Sequence, residues 1–598
     1  ISCLVAIDGD NDVNDFGEDN RLLPTIQLVL LVHPFNKANY LPHTLGSIEQ
    51  QLYPKHRIKL WISTEQLLEL SSTDKITEDM IDMNQLTIDM LKKWIHHNRR
   101  HYSDIELVLG RRYQPIDEEV LPEVDGYRYW TTSRFKLLVQ LKTLAMKTAR
   151  QNWSQYVLFI DSDVILTNPN VFMTLLTTNT DDMIAVAPML YSLGTYSNFW
   201  AGITDKGYYK RTDDYIPILE RQRIGQFVVP MIHSCLFISL VHKKSMNLTF
   251  DSRNIINESS VIPFDDIIAF GKSAQLNHID LYVDNQQVWG YIPPPLDLVN
   301  QSFDSLKQDL IDLELESLIE GSEFPISSAL ISYVTNEENS DTLNVDQIYV
   351  INLVRRTERR KRMIKCLKIL GIKASIWEAI DGKQLTDEII QAKGIHLMDG
   401  YLDPYHKRPM TFGEIACFLS HYTIWEDMIG KNLSTVIVLE DDVRFERNFK
   451  NRLKQLLSQF DSISYDFLYL GRKIQHKTNE TVIQNGLFVE PTYSYWTIGY
   501  LITRSGAQKL LDTKPLEQLI PVDEFLPIMY DKHTDQSLKL QFPIRNLKAL
   551  SVNPLLIHPT HYVGDDQYIS DTEDSNHINS GLNTNQFING FHPKHTEL

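Results

Sequence analysis

Cysteine is scarce, with four in 598 residues: Cys3, Cys235, Cys366 and Cys417. So few exclude a disulfide-built scaffold, and no pair has the spacing of a metal-binding knuckle. Buried free thiols are their ordinary fate, with room for a single bridge. Long apolar runs are also missing, and no stretch approaches the roughly 20 apolar residues that cross a bilayer. Basic residues are outnumbered, 58 Lys and Arg against 77 Asp and Glu, for a formal charge of −19. This balance argues against nucleic acid as a partner, because phosphate binding needs a basic face. It leaves room for basic protein segments, which a negative field helps to collect.

The composition is otherwise that of ordinary globular packing, 43% hydrophobic and 10% aromatic. The length exceeds what one hydrophobic core serves, so at least two domains are expected. The opening Ile1-Ser2-Cys3-Leu4-Val5-Ala6 lacks an initiator Met and reads as the end of a signal peptide, and residues 1–22 as a remnant plus disordered leader. Residues 23–305 then alternate apolar strands with helical patterns. Strands are expected at Thr25–Val32, Arg57–Ile62, Tyr156–Ile160, Met183–Met189 and Val228–Leu240, and helices near Leu41–Gln51 and Phe135–Trp153. This rhythm predicts a parallel α/β sheet. An acidic stretch, 306–344, reads as a linker. The rhythm restarts over 345–563, with strands Gln347–Leu353, Ser375–Ala379, Thr435–Leu439 and Asp466–Leu470 and helices Arg355–Leu370 and Glu414–Met428. Residues 564–598 form a polar tail, expected to be flexible.

Both halves place carboxylates directly after an apolar strand: Asp161-Ser162-Asp163 in the first, Glu440-Asp441-Asp442 in the second. The carboxyl ends of such strands open into the crevice where α/β sheets bind ligands. Three adjacent carboxylates there repel one another and are costly to desolvate unless a cation joins them. Hard oxygen ligands suit Mg²⁺ or Mn²⁺ bridging to a diphosphate, which would offset charge on a leaving nucleotide. The plainer alternative is that the acids cap a following helix.

The second half resembles glycosyltransferase family 25, the class of bacterial lipooligosaccharide glycosyltransferases and animal procollagen galactosyltransferases. The resemblance rests on Val350-Ile351-Asn352-Leu353 with Arg355, Arg356, Arg359 and Arg360, then Ala379-Ile380-Asp381-Gly382. It continues through Thr411-Phe412-Gly413-Glu414, Cys417, Ser420-His421 and Glu440-Asp441-Asp442. It extends over nearly the whole chain through Tyr196-Ser197-Asn198-Phe199-Trp200, Phe264-Asp265-Asp266-Ile267, Tyr493-Ser494-Tyr495-Trp496, Pro521-Val522-Asp523-Glu524 and His558-Pro559-Thr560-His561. The family also includes an adhesion molecule of cerebral endothelial cells. The resemblance implies two tandem GT-A-like domains, of the Rossmann type found in nucleotide-diphosphosugar transferases. It further implies inverting β-galactosyl transfer from UDP-galactose to collagen hydroxylysine, with Mn²⁺. Two departures bear on the first half. Ser63-Thr64-Glu65-Gln66 stands where relatives have an Asp-His-Asn-like segment, and Gln140-Leu141-Lys142-Thr143 where they have a Lys-Leu-Arg-Gln-like one. The galactosyl chemistry is therefore expected in the second half.

The expected roles follow. Asp441 and Asp442 are metal ligands, with Glu440 binding or orienting the nucleotide. Asn352 and Arg355 lie at the end of the first strand, where a nucleotide sits in such folds, although an Arg-rich helix face also suits plain solvation. Asp381 and Gly382 hold the nucleoside. Glu414 and His421 fall on a helix near the nucleotide, His421 being equally a satisfied core residue. Asp523, with Glu524 second, is the base that inversion requires, unless it is a turn acid. Tyr495 and Trp496 form a stacking platform for the sugar or pack in the core. His558 and His561 ligate the metal or touch a phosphate. In the first half Asp161 and Asp163 form the metal pair, with Asp265 or Asp266 as base. A non-catalytic adhesion or collagen-binding protein on the same scaffold is the competing reading.

The ending His595-Thr596-Glu597-Leu598 resembles a Lys-Asp-Glu-Leu retention signal. Sequons begin at Asn152, Asn247, Asn257, Asn300, Asn432 and Asn479. Together these place the chain in the endoplasmic reticulum lumen, with collagen chains as partner and a homodimer allowed for.

Overall fold

The computed structural model describes residues 22–32, 38–66, 78–111, 132–178, 183–204, 208–255, 265–294, 303–334, 340–405, 407–459, 463–475, 480–483, 486–562 and 570–572. The leader up to residue 21, Cys3, Asn257, Asn300, Asn479 and the ending His595–Leu598 lie outside the described residues. The chain divides into two units, Ile1–Asn336 and Glu337–Leu598. Each holds an eight-stranded mixed sheet, as two tandem GT-A-like domains require. Among the described residues no helix is long and apolar enough to cross a membrane.

In the first unit the strand Ile26–Val32 is apolar at nearly every position and buried on both faces, the habit of a central parallel strand. It pairs in parallel with Ile58–Gln66 on one side and Tyr156–Asp161 on the other, and Asp104–Arg111 extends the parallel run. Side chains alternate between two cores: Leu28, Leu30, Ile62 and Ile160 join one, Val29, Trp61, Val157 and Phe159 the other. Beyond Tyr156–Asp161 the direction reverses, because Cys235–Ser239 pairs with it antiparallel. The single stretch expected over Val228–Leu240 is three strands, Gln226–Val229, Met231–Ile232 and Cys235–Ser239. Pro230 cannot donate to a ladder, and Ser234 takes a left-handed φ of 63°, so the chain turns twice inside the apolar run. Within the stretch read as a linker, the helix Phe303–Ser317 sends Leu310 and Leu313 into a core with Tyr40, Ile165, Tyr291 and Phe324. Its apolar stripe lies among acidic neighbours, which mask it in composition.

The second unit repeats the plan. Gln347–Asn352 lies between Ser375–Glu378 and Thr435–Glu440, all parallel. Thr435–Glu440 then meets the antiparallel strand Ser494–Thr503, which also pairs with Phe467–Ile474. In each unit, then, the strand ending in carboxylates is the last of the parallel run and faces an antiparallel neighbour. The helix Phe412–Gly430 starts at a capping box, with Thr411 and Glu414 satisfying each other's backbone N–H groups. It buries Ile415, Phe418, Ile424 and Trp425 against this sheet.

Two strand glycines admit a crossing segment. A Cβ on Gly471 would lie 2.4 Å from the Ile557 carbonyl oxygen, and one on Gly499 2.3 Å from Ile557 Cδ1. Ile557 begins a short strand, Ile557–Pro559, that pairs with Val443–Phe445 just past the acidic motif. Gly471→Ala is expected to destabilise the protein by about 1–3 kcal/mol, the cost of overpacking against a backbone oxygen. Urea unfolding measures this, and an unchanged midpoint would contradict the close approach.

Candidate active site

The strand Thr435–Glu440 is buried from Val436 through Leu439 and delivers Glu440, Asp441 and Asp442 to the edge of a cleft. The cleft is also lined by Arg355, Arg359, Gly382, Cys417, His421 and Asp571. Each acid has a different set of partners. Glu440 Oε1 accepts from the Thr497 hydroxyl at 2.7 Å and lies 3.5 Å from His421 Nε2. Burial pushes its pKa up, but His421, Thr497 and Arg359 outweigh that and leave it lowered. Asp441 Oδ2 accepts from Asn352 Nδ2 at 2.6 Å. Arg359 Nη1 lies 3.4 Å from Asp441 Oδ1 and 3.5 Å from Asp442 Oδ2. Arg362 holds the turn from behind, donating to the carbonyls of Asp441 at 2.7 Å and Val443 at 2.9 Å. Burial, and then the Glu440 charge, lift Asp442 to about 7.

Two buried oxygens here lack a hydrogen-bond partner, Asp442 Oδ1 and Asn352 Oδ1. An unmet buried acceptor is costly, and both are hard oxygen donors of the kind Mg²⁺ and Mn²⁺ prefer. By distance alone Cys417, His421 and Glu440 also form a candidate metal group. A thiol and an imidazole are softer ligands than the carboxylates, so that set suits Zn²⁺ better than Mg²⁺ or Mn²⁺. His421 Nδ1 is 3.0 Å from the Tyr500 hydroxyl, deep in the core. The residues present fit a hard divalent cation held by Asp441 and Asp442.

Other expected residues divide. Asp381 Oδ2 accepts from Arg355 Nε at 2.9 Å, and its Oδ1 caps the turn Gly382–Gln384 through the Lys383 N–H at 3.0 Å. Gly382 is required by contact, since a Cβ there would sit 2.8 Å from the Gly413 nitrogen. Glu414, expected near the nucleotide, is instead absorbed by its capping box and by Arg408, which reaches both its oxygens at 3.0 Å. His558, expected as a metal ligand, faces Glu446 at 3.4 Å and does not line the cleft. His561 is exposed; its neighbour Thr560 donates its N–H to the Asp442 carbonyl at 2.7 Å.

Asp523 and Glu524 open the helix Val522–Met529, and their surroundings differ sharply. Glu524 is 2% exposed. It accepts from Tyr493 at 2.7 Å, from His533 Nε2 at 2.6 Å and from the Tyr495 hydroxyl. His533 Nδ1 accepts the Asp535 N–H at 3.0 Å, which leaves the ring proton on Nε2 to donate. Asp523 by contrast has Oδ1 without a partner. Burial, followed by the Glu440 charge, lifts it to about 8, against the opposing pull of the Trp496 N–H. Trp496 adopts a positive φ of 74° and lies tilted by 44° against Tyr562, ring centroids 5.8 Å apart, with Lys473 Nζ 5.6 Å over its ring.

In the first unit Asp161 ends its strand as expected, but a lysine shares the site. Lys142 forms an ion pair with Asp266, the side chains 13% and 5% exposed. Burial raises Asp161 to about 6, Lys142 opposing and Asp163 adding to the rise. Asp265 caps the helix Asp266–Leu276 through the N–H groups of Ile267 and Ile268 at 2.8 and 3.0 Å. Of the described sequon residues, Asn247 and Asn432 are exposed, while Asn152 Nδ2 donates to Gln27 at 3.2 Å.

Thr497 and Arg362 escaped sequence reading because a lone Thr and one Arg among many carry no signal. Asp571 lies in the tail expected to be flexible, yet its carboxylate meets Arg355 and Arg356.

Two GT-A-like α/β domains and strand-end carboxylates beside a cleft are the marks of a glycosyltransferase, and comparison with known proteins agrees. The family model for the glycosyltransferase family 25 N-terminal domain matches residues 23–314, and that for glycosyltransferase family 25 (LPS biosynthesis protein) matches 345–526. A glycosyltransferase 25 family member of Aedes aegypti is 41% identical, covering 95% of this chain and 88% of its own. Procollagen galactosyltransferase 2 of Homo sapiens is 40% identical over 96% and 88%. A Bos taurus relative named probable inactive glycosyltransferase 25 family member 3 is 38% identical over 92% and 88%. The chain belongs to glycosyltransferase family 25.

Removing one partner of a buried ion pair strands the other charge. Lys142→Met is therefore expected to destabilise the first domain by about 3–5 kcal/mol. Denaturant unfolding followed by fluorescence checks this, and a loss below the scatter of surface substitutions would show the pair to be incidental.

Proposed function

We propose that the second domain transfers β-galactose from UDP-galactose to hydroxylysine of collagen chains, with inversion and with Mn²⁺ or Mg²⁺ as cofactor, in the endoplasmic reticulum lumen. The observation that carries this reading is the pair of unmet oxygens, Asp442 Oδ1 and Asn352 Oδ1, among three strand-end carboxylates. Relatives named procollagen galactosyltransferase support the donor and acceptor. The bovine relative named as inactive keeps a purely binding role in view, and the unmet oxygens favour chemistry over it.

A divalent cation bound by Asp441 and Asp442 would supply electrostatic stabilisation of the departing diphosphate. The protein's own groups do the rest. Glu440, held by Thr497 and His421, keeps its charge and orientation at the cleft. Arg355 and Arg359 face the same cleft and counter charge that develops on the leaving group. Asp523 is the base: in its ionised form its Oδ1, without a partner in the structure, takes the proton of the acceptor hydroxyl as that oxygen bonds to the anomeric carbon. The bond from that carbon to the phosphate oxygen breaks, and UDP leaves with the electron pair. Glu524 does not compete for the role, because three donors already occupy its carboxylate. Two adjacent acids with such opposed environments are a mark of assigned duties.

Transfer from a panel of UDP-sugars to a hydroxylysine-containing collagen peptide, with and without Mn²⁺, is expected to show galactose transfer only with the metal. Absence of transfer with every sugar would remove the proposal. Asp442→Ala should abolish turnover with unchanged thermal melting, and full residual activity would move the site elsewhere.

Asp523→Asn should lower kcat by about 10²–10⁴-fold, the usual worth of a general base. It also has a signature in stability. The folded protein holds the Asp523 proton up to about pH 8, against 3.8 for the ordinary group. Between those values the folded state binds more protons than the unfolded one, so stability falls as pH rises, by up to about 1.4 kcal/mol per unit. The Asn variant lacks this loss. Its stability relative to the parent, measured without metal, should therefore be greater at pH 8 than at pH 5, and the reverse order would refute the assignment.

A further inference from the structure

Arg355 and Arg356 stand where the strand Gln347–Asn352 gives way to the helix Thr357–Ile369, with Arg356 as its N-cap. A helix N-terminus carries partial positive charge, and guanidinium forks match the geometry of carboxylate and phosphate. This edge of the cleft is thus built for an anion, and the chain itself supplies one. Asp571, 216 residues beyond Arg355, places Oδ1 at 2.7 Å from Arg355 Nη2. The same oxygen lies 2.8 Å from Arg356 Nη2, and Oδ2 lies 2.8 Å from Arg356 Nε, a two-pronged clasp. Burial alone would raise its pKa, but the bonds from Arg356 and Arg355 reverse that and keep it charged. The flanking residues are seated as well. Ser570 is 9% exposed, and the Thr411 hydroxyl donates to the Thr572 carbonyl at 2.7 Å. All three tail residues line the same cleft as Glu440, Asp441 and Asp442.

We propose that Asp571 is an internal competitor for the diphosphate of the donor, holding the arginine pair until the nucleotide displaces it. This rests on the reading of the cleft as the donor pocket. Arg356 Nε and Nη2 and Arg355 Nη2 donate to Asp571, and Arg355 Nε donates to Asp381. A diphosphate and a carboxylate cannot share the same donors, since like charges at that distance repel strongly. The competitor is tethered, so it acts at a high effective concentration without dilution. A segment docked nine-tenths of the time weakens apparent donor affinity about tenfold, because only the open fraction binds.

The test uses the full chain and its Asp571→Ala variant, with melting temperature as the control for folding. UDP with Mn²⁺ and inorganic pyrophosphate without added metal are titrated by calorimetry. The variant is expected to bind each about 3–10-fold more tightly than the parent. A gain for pyrophosphate while neither protein binds UDP would refute the nucleotide reading and leave the competitor standing. Equal or weaker binding of both anions by the variant overturns the competitor, whatever the parent does. Amide exchange at 570–572 gives a second readout in the parent. It should rise on saturation with UDP, and a fall would show that the segment closes over the ligand instead of yielding to it.

Discussion

Three like charges at the end of a buried strand are the constraint around which the second domain is arranged. A carboxylate taken from water must find donors or a countercharge, or give up its ionisation. Glu440, Asp441 and Asp442 draw these from four separate elements. The neighbouring parallel strand contributes Asn352, and the following helix contributes Arg359 and Arg362. The antiparallel strand contributes Thr497, and the helix Phe412–Gly430 contributes His421. The supply is incomplete, since Asp442 keeps a bare oxygen and a pKa lifted to about 7. That residual deficit distinguishes this turn from one whose acids are all satisfied.

The first domain meets a similar problem with a different answer. Its strand-end Asp161 also adjoins an antiparallel strand, but Lys142 stands inside the acid cluster and pairs with Asp266. In both domains a cation from a packed helix stands among the acids, Arg359 in the second and Lys142, from the helix Thr132–Gln151, in the first.

Much of this was legible in the sequence. The parallel strands were visible because burial on both faces forces unbroken apolar runs such as Thr435–Leu439. The acid motifs stood out because carboxylates seldom follow such runs. The antiparallel Ser494–Thr503 was missed as a strand, since its aromatic and polar residues carry no simple alternation. At Glu414 a capping acid and a binding acid look alike in sequence, and only its partners, Thr411 and Arg408, show the capping role. Asp571 was hidden for the opposite reason: a polar tail has the composition of disorder, and only its docking on two arginines distinguishes it. Long-range pairings of single polar residues leave no periodic trace.

The antiparallel strand Ser494–Thr503 has a further consequence. It is bonded on both sides, with Leu439 facing Gly499 and Tyr469 facing Tyr500, and it carries both Trp496, whose N–H reaches Asp523, and Thr497, which reaches Glu440. Side chains alternate along a strand, so a shift by one residue would exchange inward and outward faces without altering composition. Gly499 acts as a keyway in this respect, since only a residue without a side chain fits beneath Ile557 at that point. The alignment of Asp523 with the acidic ridge is therefore stored as a counting problem along one strand. Deletions of a single residue there would be far less tolerable than exchanges of its aromatic side chains.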